Sequence, residues 1–343
     1  MRKGLAGAVG LVLLLVVISV ANAEFGYDVV DLGAGYSALA LNDHNQAAGL
    51  YGGRAYFWDG AWHSTTSEGM SWLYEMNDSG QMVGITSNPW VKAILIERSG
   101  GSWASTLITP NSNGNAMGIN NNGEVVGWEG TYLGNDEWDQ AAFHWDRTDG
   151  LTYLPDGTMA SASDINNDGN IVGWQTGGPI AAYYWERQGD GSYVRNTMSG
   201  AYFAYDINDA GGTSGWHDES HGPGYYWPSP TGSPTQLTGG WSEGLNNAGQ
   251  IVGYSGTGQA LIWKGTSWVD LDTLVDPLAG WDLREAYDIN NNGWICGVGT
   301  YNGRTHGFAL QPRSSGAVPE LPPFALAVLG MPLALLGRKL RRK

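Results

Sequence analysis

The apolar and polar positions of this chain follow one phrase, repeated seven times. Its fullest copy is Ala116-Met117-Gly118-Ile119-Asn120-Asn121-Asn122-Gly123-Glu124-Val125-Val126-Gly127. An apolar residue leads into Asn-x-x-Gly, and a short apolar run ending in Gly leads out. The leading asparagines are 42, 77, 120, 166, 208, 246 and 290, separated by 35, 43, 46, 42, 38 and 44 residues. Such a period signals a repeat architecture built from one supersecondary unit. A polar turn between short β-branched runs, as in Gly249-Gln250-Ile251-Val252-Gly253, predicts a β-hairpin. Asn at the first turn position bonds backbone further on, and Gly at the fourth takes a positive φ. In the first copy Asn45 stands there instead, the other residue that tolerates the left-handed region. A helix is a poor alternative, since Gly or Asn every few residues would cost up to about 1 kcal/mol each relative to Ala.

Each unit continues into an aromatic third strand, such as Ala55-Tyr56-Phe57-Trp58 or Ala142-Phe143-His144-Trp145, and then a variable fourth, such as Gly150-Leu151-Thr152-Tyr153-Leu154. The seventh unit lacks a fourth strand, while Tyr27-Asp28-Val29-Val30-Asp31-Leu32 stands unmatched before the first. The pattern therefore predicts an all-β chain: a seven-bladed β-propeller over residues 24–312, with the N-terminal strand closing the last blade. An open solenoid would need distinct capping units.

The two ends read as addresses. Arg2 and Lys3 precede an apolar stretch, and Ala21-Asn22-Ala23 completes a secretory signal peptide over residues 1–23. After a linker at 313–317, residues 318–343 carry Val318-Pro319-Glu320-Leu321, an apolar run broken by Pro332, and the basic end Arg338-Lys339-Leu340-Arg341-Arg342-Lys343. The run is shorter than the ~20 residues that cross a bilayer comfortably. Without these ends, ten basic residues face 32 acidic ones, a net charge near −22 against −16 for the whole chain. Such a body is a poor partner for nucleic acid, which needs clustered Lys and Arg. Cys296 is the single cysteine, so no intramolecular disulfide forms; its register predicts a small buried slot.

The repeat phrase, with its A-F-x-W third strand, resembles the HAF family of extracellular repeats across all seven units. The tail resembles the PEP-CTERM sorting signal, with Val318, Pro319 and Glu320 in the motif and Leu321 where that motif has a second Pro. The resemblance implies an exported protein of a Gram-negative-type bacterium. Its tail would be held transiently in the inner membrane, then cut by an exosortase-type protease to release the body to the cell surface or extracellular matrix. It brings no established activity or catalytic residues.

Candidate chemistry is sparse. Asp164-Ile165-Asn166-Asn167-Asp168-Gly169 matches the opening of an EF-hand loop, making Asp164, Asn166 and Asp168 calcium candidates. The bidentate Glu expected at the twelfth position is Gln175. His217-Asp218-Glu219-Ser220-His221 has zinc-like spacing but lies among Gly and Pro, which makes it a loop. No cofactor and no catalytic set is expected. The connection between second and third strands is the variable one (128–140, 216–223 and 299–304), and loops on a rigid scaffold carry function. Trp128, Trp138, Trp174, Trp216 and Tyr254 lie in or beside it. Aromatic faces rimmed by carboxamides and carboxylates suit neutral or basic glycans and peptides, although packing between blades is a competing use for large rings. The expected role is a non-catalytic binding or matrix module, with extracellular polysaccharide or a surface protein as partner. The alternative is a glycan-active enzyme working from the central face.

Overall fold

A computed structural model of the chain describes residues 26–65, 70–86, 91–134, 137–175, 180–200, 203–217 and 223–313; the side chains of 132–138 and both address segments lie outside that description. Seven four-stranded antiparallel sheets surround an axis. The inner strands, blades 1 to 7, are Ser37–Leu41, Met70–Met76, Asn113–Ile119, Ala160–Ile165, Phe203–Ile207, Trp241–Leu245 and Trp281–Ile289. Each touches the inner strand of the next blade, and the seventh meets the first. In six blades the four strands follow in chain order. In blade 7 the outer strand is Tyr27–Ala34, antiparallel to Arg304–Pro312 from Tyr27 opposite Pro312 to Ala34 opposite His306. The N-terminal strand closes the ring as its unmatched pattern predicts. The only helices among the described residues are the 3-10 turns Leu271–Leu274 and Pro277–Ala279.

The core is divided into seven apolar wedges, one per blade interface. Between blades 2 and 3, for example, Val83 and Leu95 pack against Ala116, Ile119 and Phe143. Cys296 is fully buried in the wedge between blades 7 and 1, where burial raises its thiol pKa; its sequence slot is confirmed.

At one end of the axis sit the seven repeat turns. Gly80, Gly123, Gly169, Gly211, Gly249 and Gly293 all have φ between +70° and +82°, and Asn45 has +59°. The leading asparagine does more than shape its own turn. Asn120 Oδ1 accepts the Asn122 and Glu124 amides (3.1 and 3.0 Å). Its Nδ2 donates to Glu124 Oε2 (2.6 Å) and to the Asn166 carbonyl of the next blade (3.1 Å). That uses the full capacity of a carboxamide. All seven asparagines make the same donation to the next blade's Asn carbonyl, ending with Asn290 to Asn42 at 2.8 Å. A second ring runs outside it. The amide of the residue after each Asn donates to the side chain of its counterpart one blade on, from Asp43 to Asp78 and round to Asn291 back to Asp43.

Candidate functional site

Each inner strand carries a register shift at the same place, two residues before its turn apolar: Ala38/Ala40, Leu73/Glu75, Ala116/Gly118, Ala162/Asp164, Ala204/Asp206, Ser242/Gly244 and Ala286/Asp288. The skipped residue is the extra one of a β-bulge, a device that re-aims side chains. The recurring Gly of the second strand makes the bulge possible. A Cβ on Gly127 would lie 1.8 Å from the Asn115 carbonyl oxygen, and the six equivalent glycines meet an inner-strand carbonyl at 1.8–2.1 Å.

The seven bulge residues are Leu39, Tyr74, Met117, Ser163, Tyr205, Glu243 and Tyr287. All seven line one axial cavity of about 470 Å³, joined by Trp72, Trp216, Tyr254, Glu285 and the acids one position on. That volume falls within the ~300–1,000 Å³ of ordinary small-molecule pockets. Trp216 stacks on Tyr205 at 4.8 Å, with its indole N–H donating to the Ser242 carbonyl. Tyr287 donates its hydroxyl to Glu285. Among the described residues, no lysine, arginine or histidine lines the cavity.

Toward the turns, the acids Glu75, Asp164, Asp206 and Asp288 bridge blades. Glu75 accepts the Ile119 amide (2.7 Å), Asp206 that of Leu245 (2.7 Å) and Asp288 that of Leu41 (2.6 Å). Asp164 accepts Ile207 forward and its own neighbour Ile165. Asp164 and Asp288, which also take the following amide of their own blade, come after the blades whose residue here is Gly118 or Gly244. A Cβ on either glycine would approach the Asp164 or Asp288 Cα at 2.7–2.8 Å.

Acids this buried and this close ionise less readily than free carboxyl groups. Burial, then the charges of Asp164 and Asp206, pushes Glu75 well above the usual carboxylate range; burial, then Asp164, does the same to Asp206. Burial pushes Asp288 up to about 6, against its two amide hydrogen bonds. Burial and the neighbouring Glu285 push Glu243 up to about 8, against a hydrogen bond from Tyr254. The Tyr205 phenol is likewise raised by burial and by Glu243.

The sequence candidates therefore separate. Trp216 and Tyr254 line the cavity. Trp174 sets an edge against Phe203 at 5.5 Å, and Trp128 faces Asn115 across the strand pair; neither lines it. The side chain of Trp138 and the motif Val318, Pro319, Glu320 lie outside the described residues, as does most of the 217–221 histidine segment. The calcium candidates serve different ends. Asp164 bridges blades inside the channel, Asn166 spends Oδ1 on the Asn170 amide and Nδ2 on the Asn208 carbonyl, and Asp168 is exposed. Among the described residues no group of three or more His, Cys, Asp or Glu is placed to hold a metal ion. The second-to-third connection is less of a loop than its composition suggests: Val125–Gly134 and Glu137–Asp146 extend as paired strands, and Tyr301 pairs with Arg304. The site residues that the sequence did not single out are the bulge positions and the acids Glu75, Asp206 and Asp288; Asp164 was singled out, for a different role. Their signal was the variable pair within A-x-x-I-N, polar and aromatic where the rest of the phrase is fixed.

No protein-family model and no curated protein matches the sequence. Solved structures do. The chain is similar to YCF48 bound to D1 peptide, with TM-score 0.50 and 13% identity over 86% of this chain and 97% of that one. The putative TolB of Agrobacterium tumefaciens gives 0.44 and 11% over 62% and 88%. Trypanosoma rangeli sialidase in complex with sialic acid gives 0.42 and 9%, and this chain covers 59% of that one. At these identities the likeness shows the propeller fold alone.

Proposed function

We propose that this chain is an exported bacterial binding module, acting at the cell surface or in the extracellular matrix, whose ligand enters the axial cavity. One observation carries the reading: seven bulges turn toward a single axial cavity, four of them presenting Tyr74, Tyr205, Tyr287 and Glu243 to it. The signal-like residues 1–23 and the sorting-like tail with Val318, Pro319 and Glu320 support export and transient anchoring. Calorimetric titration against a panel of oligosaccharides and peptides tests the binding. A peptide belongs in the panel because YCF48, of like fold, holds one. Binding abolished by Trp216→Ala in a variant of unchanged melting temperature is the expected result. Binding untouched by Trp216→Ala would move the site elsewhere.

A second reading has its own observation. Glu243 and Glu285 both line the cavity from adjacent blades, each beside a tyrosine, and Glu243 keeps its proton near neutral pH. A proton-bearing acid beside a second carboxylate is what glycoside hydrolysis uses. Product analysis on the same oligosaccharides separates the two readings: turnover lost in Glu243→Gln makes the protein an enzyme.

A further inference from the structure

We propose that the axial cavity takes the ammonium group of an amine-bearing sugar. The inference deepens the binding reading and rests on it. Two features of the cavity point the same way.

The first is charge without a counter-charge. Glu243 and Glu285 stand at the aromatic level and Glu75, Asp164, Asp206 and Asp288 beneath, with no lysine, arginine or histidine among the described lining side chains. The lower four have backbone amides as partners. The upper two meet only tyrosine hydroxyls among their described partners, Glu285 from Tyr287 and Glu243 from Tyr254. Like carboxyls crowded in a dry site stay protonated rather than ionise together. A cation placed between them removes that conflict, whereas an anionic ligand sharpens it.

The second is the rings. Tyr205 and Trp216 form a stacked pair at 4.8 Å, and Trp72 lines the same cavity with 48% of its surface exposed. Aromatic faces attract cations through the ring quadrupole, and flat rings also stack on the apolar faces of sugars.

The groups facing Glu243 are Tyr254 on its own blade, Glu285 and Tyr287 on blade 7, and Tyr205 on blade 5. None is a base. An ammonium arriving beside Glu243 favours its carboxylate, so below the pKa of the sugar amine binding releases a proton to solvent and tightens as pH rises.

The test compares two probes of equal length, the tetramer of glucosamine and the tetramer of N-acetylglucosamine, titrated calorimetrically into the full-length chain. The amine tetramer should bind about ten-fold more tightly or better. Its heat should vary with the buffer's ionisation enthalpy, as proton release requires. Glu243→Gln, or Glu285→Gln if the first fails to fold, should weaken the amine tetramer and leave the acetylated one unchanged. Equal binding of both tetramers, each lost in Trp216→Ala, overturns the ammonium inference while the binding reading stands. A preference for the amine that survives both Glu→Gln changes and Trp216→Ala reflects the acidic exterior and overturns it too. No binding of either tetramer overturns it, and the peptides of the earlier panel then decide the binding reading separately.

Discussion

Glu243 and Glu124 show how position alone turns one residue type toward opposite chemistry. Burial first, and the neighbouring Glu285 second, raise Glu243 from 4.5 to about 8, against a hydrogen bond from Tyr254. Glu124 lies beside His144, the Asn120 amide and the Arg187 guanidinium (2.7 Å), and is lowered from 4.5 to about 2. A raised acid stabilises the fold fully below its unfolded pKa and loses that contribution as pH rises to the folded value; a lowered acid does the reverse. Glu243 thus loses stabilisation between pH 4.5 and 8, and Asp288 between 3.8 and 6. Glu124 loses its share as pH falls from 4.5 to 2. The melting temperature should therefore be higher at pH 5 than at pH 8 and should fall again toward pH 2. Glu243→Gln should flatten the decline between pH 4.5 and 8 while leaving the acid limb in place. Scanning calorimetry across that range checks both; a variant with the parent's slope would show that Glu243 ionises freely.

At the scale of the strand pair, the bulge and its glycine are one unit. Gly127→Ala should cost about 3 kcal/mol or more, since its Cβ meets backbone that cannot swing aside. Gly256→Ala, where the nearest atom is 3.9 Å away and φ is not positive, should be near neutral. Denaturant midpoints measure the difference, and equal costs would mean the inner strand straightens without penalty. The hairpins were legible because a turn is local: Asn120, Gly123 and the β-branched Val125-Val126 state it within seven residues. The blade count and the closing strand followed from repetition. The cavity did not, because alternation along a strand says which residues share a face but not where a bulge breaks the alternation. Tyr205 and Glu243 read as neutral fillers in the phrase until the register shift turns both to the axis. The Gly127 class was visible as a period and unexplained, since its φ is ordinary and its reason lies on the strand opposite.

For the molecule as a whole, closure depends on Tyr27–Ala34. That strand supplies Tyr27 to the wedge between blades 6 and 7 and Leu32 to the wedge between 7 and 1. Deleting residues 27–34 removes apolar burial from two interfaces and bares the edge of Arg304–Pro312. The whole propeller should then melt at a markedly lower temperature and associate through that edge. Light scattering alongside thermal unfolding reports both, and an unchanged melting temperature would mean the ring closes without its latch strand. The carboxamide ring has a different consequence. Every blade gives one hydrogen bond and receives one, so the count balances for six, seven or eight blades alike. These bonds act as identical couplings that hold neighbours at one height without counting them. The number seven is therefore written in the wedges, where residues as different in bulk as Ala116 and Phe143 fill one gap and set the angle between adjacent sheets. Ring size in this architecture is a property of side-chain volume, and a chain that kept every turn asparagine but thinned its wedges would be free to close on a different number.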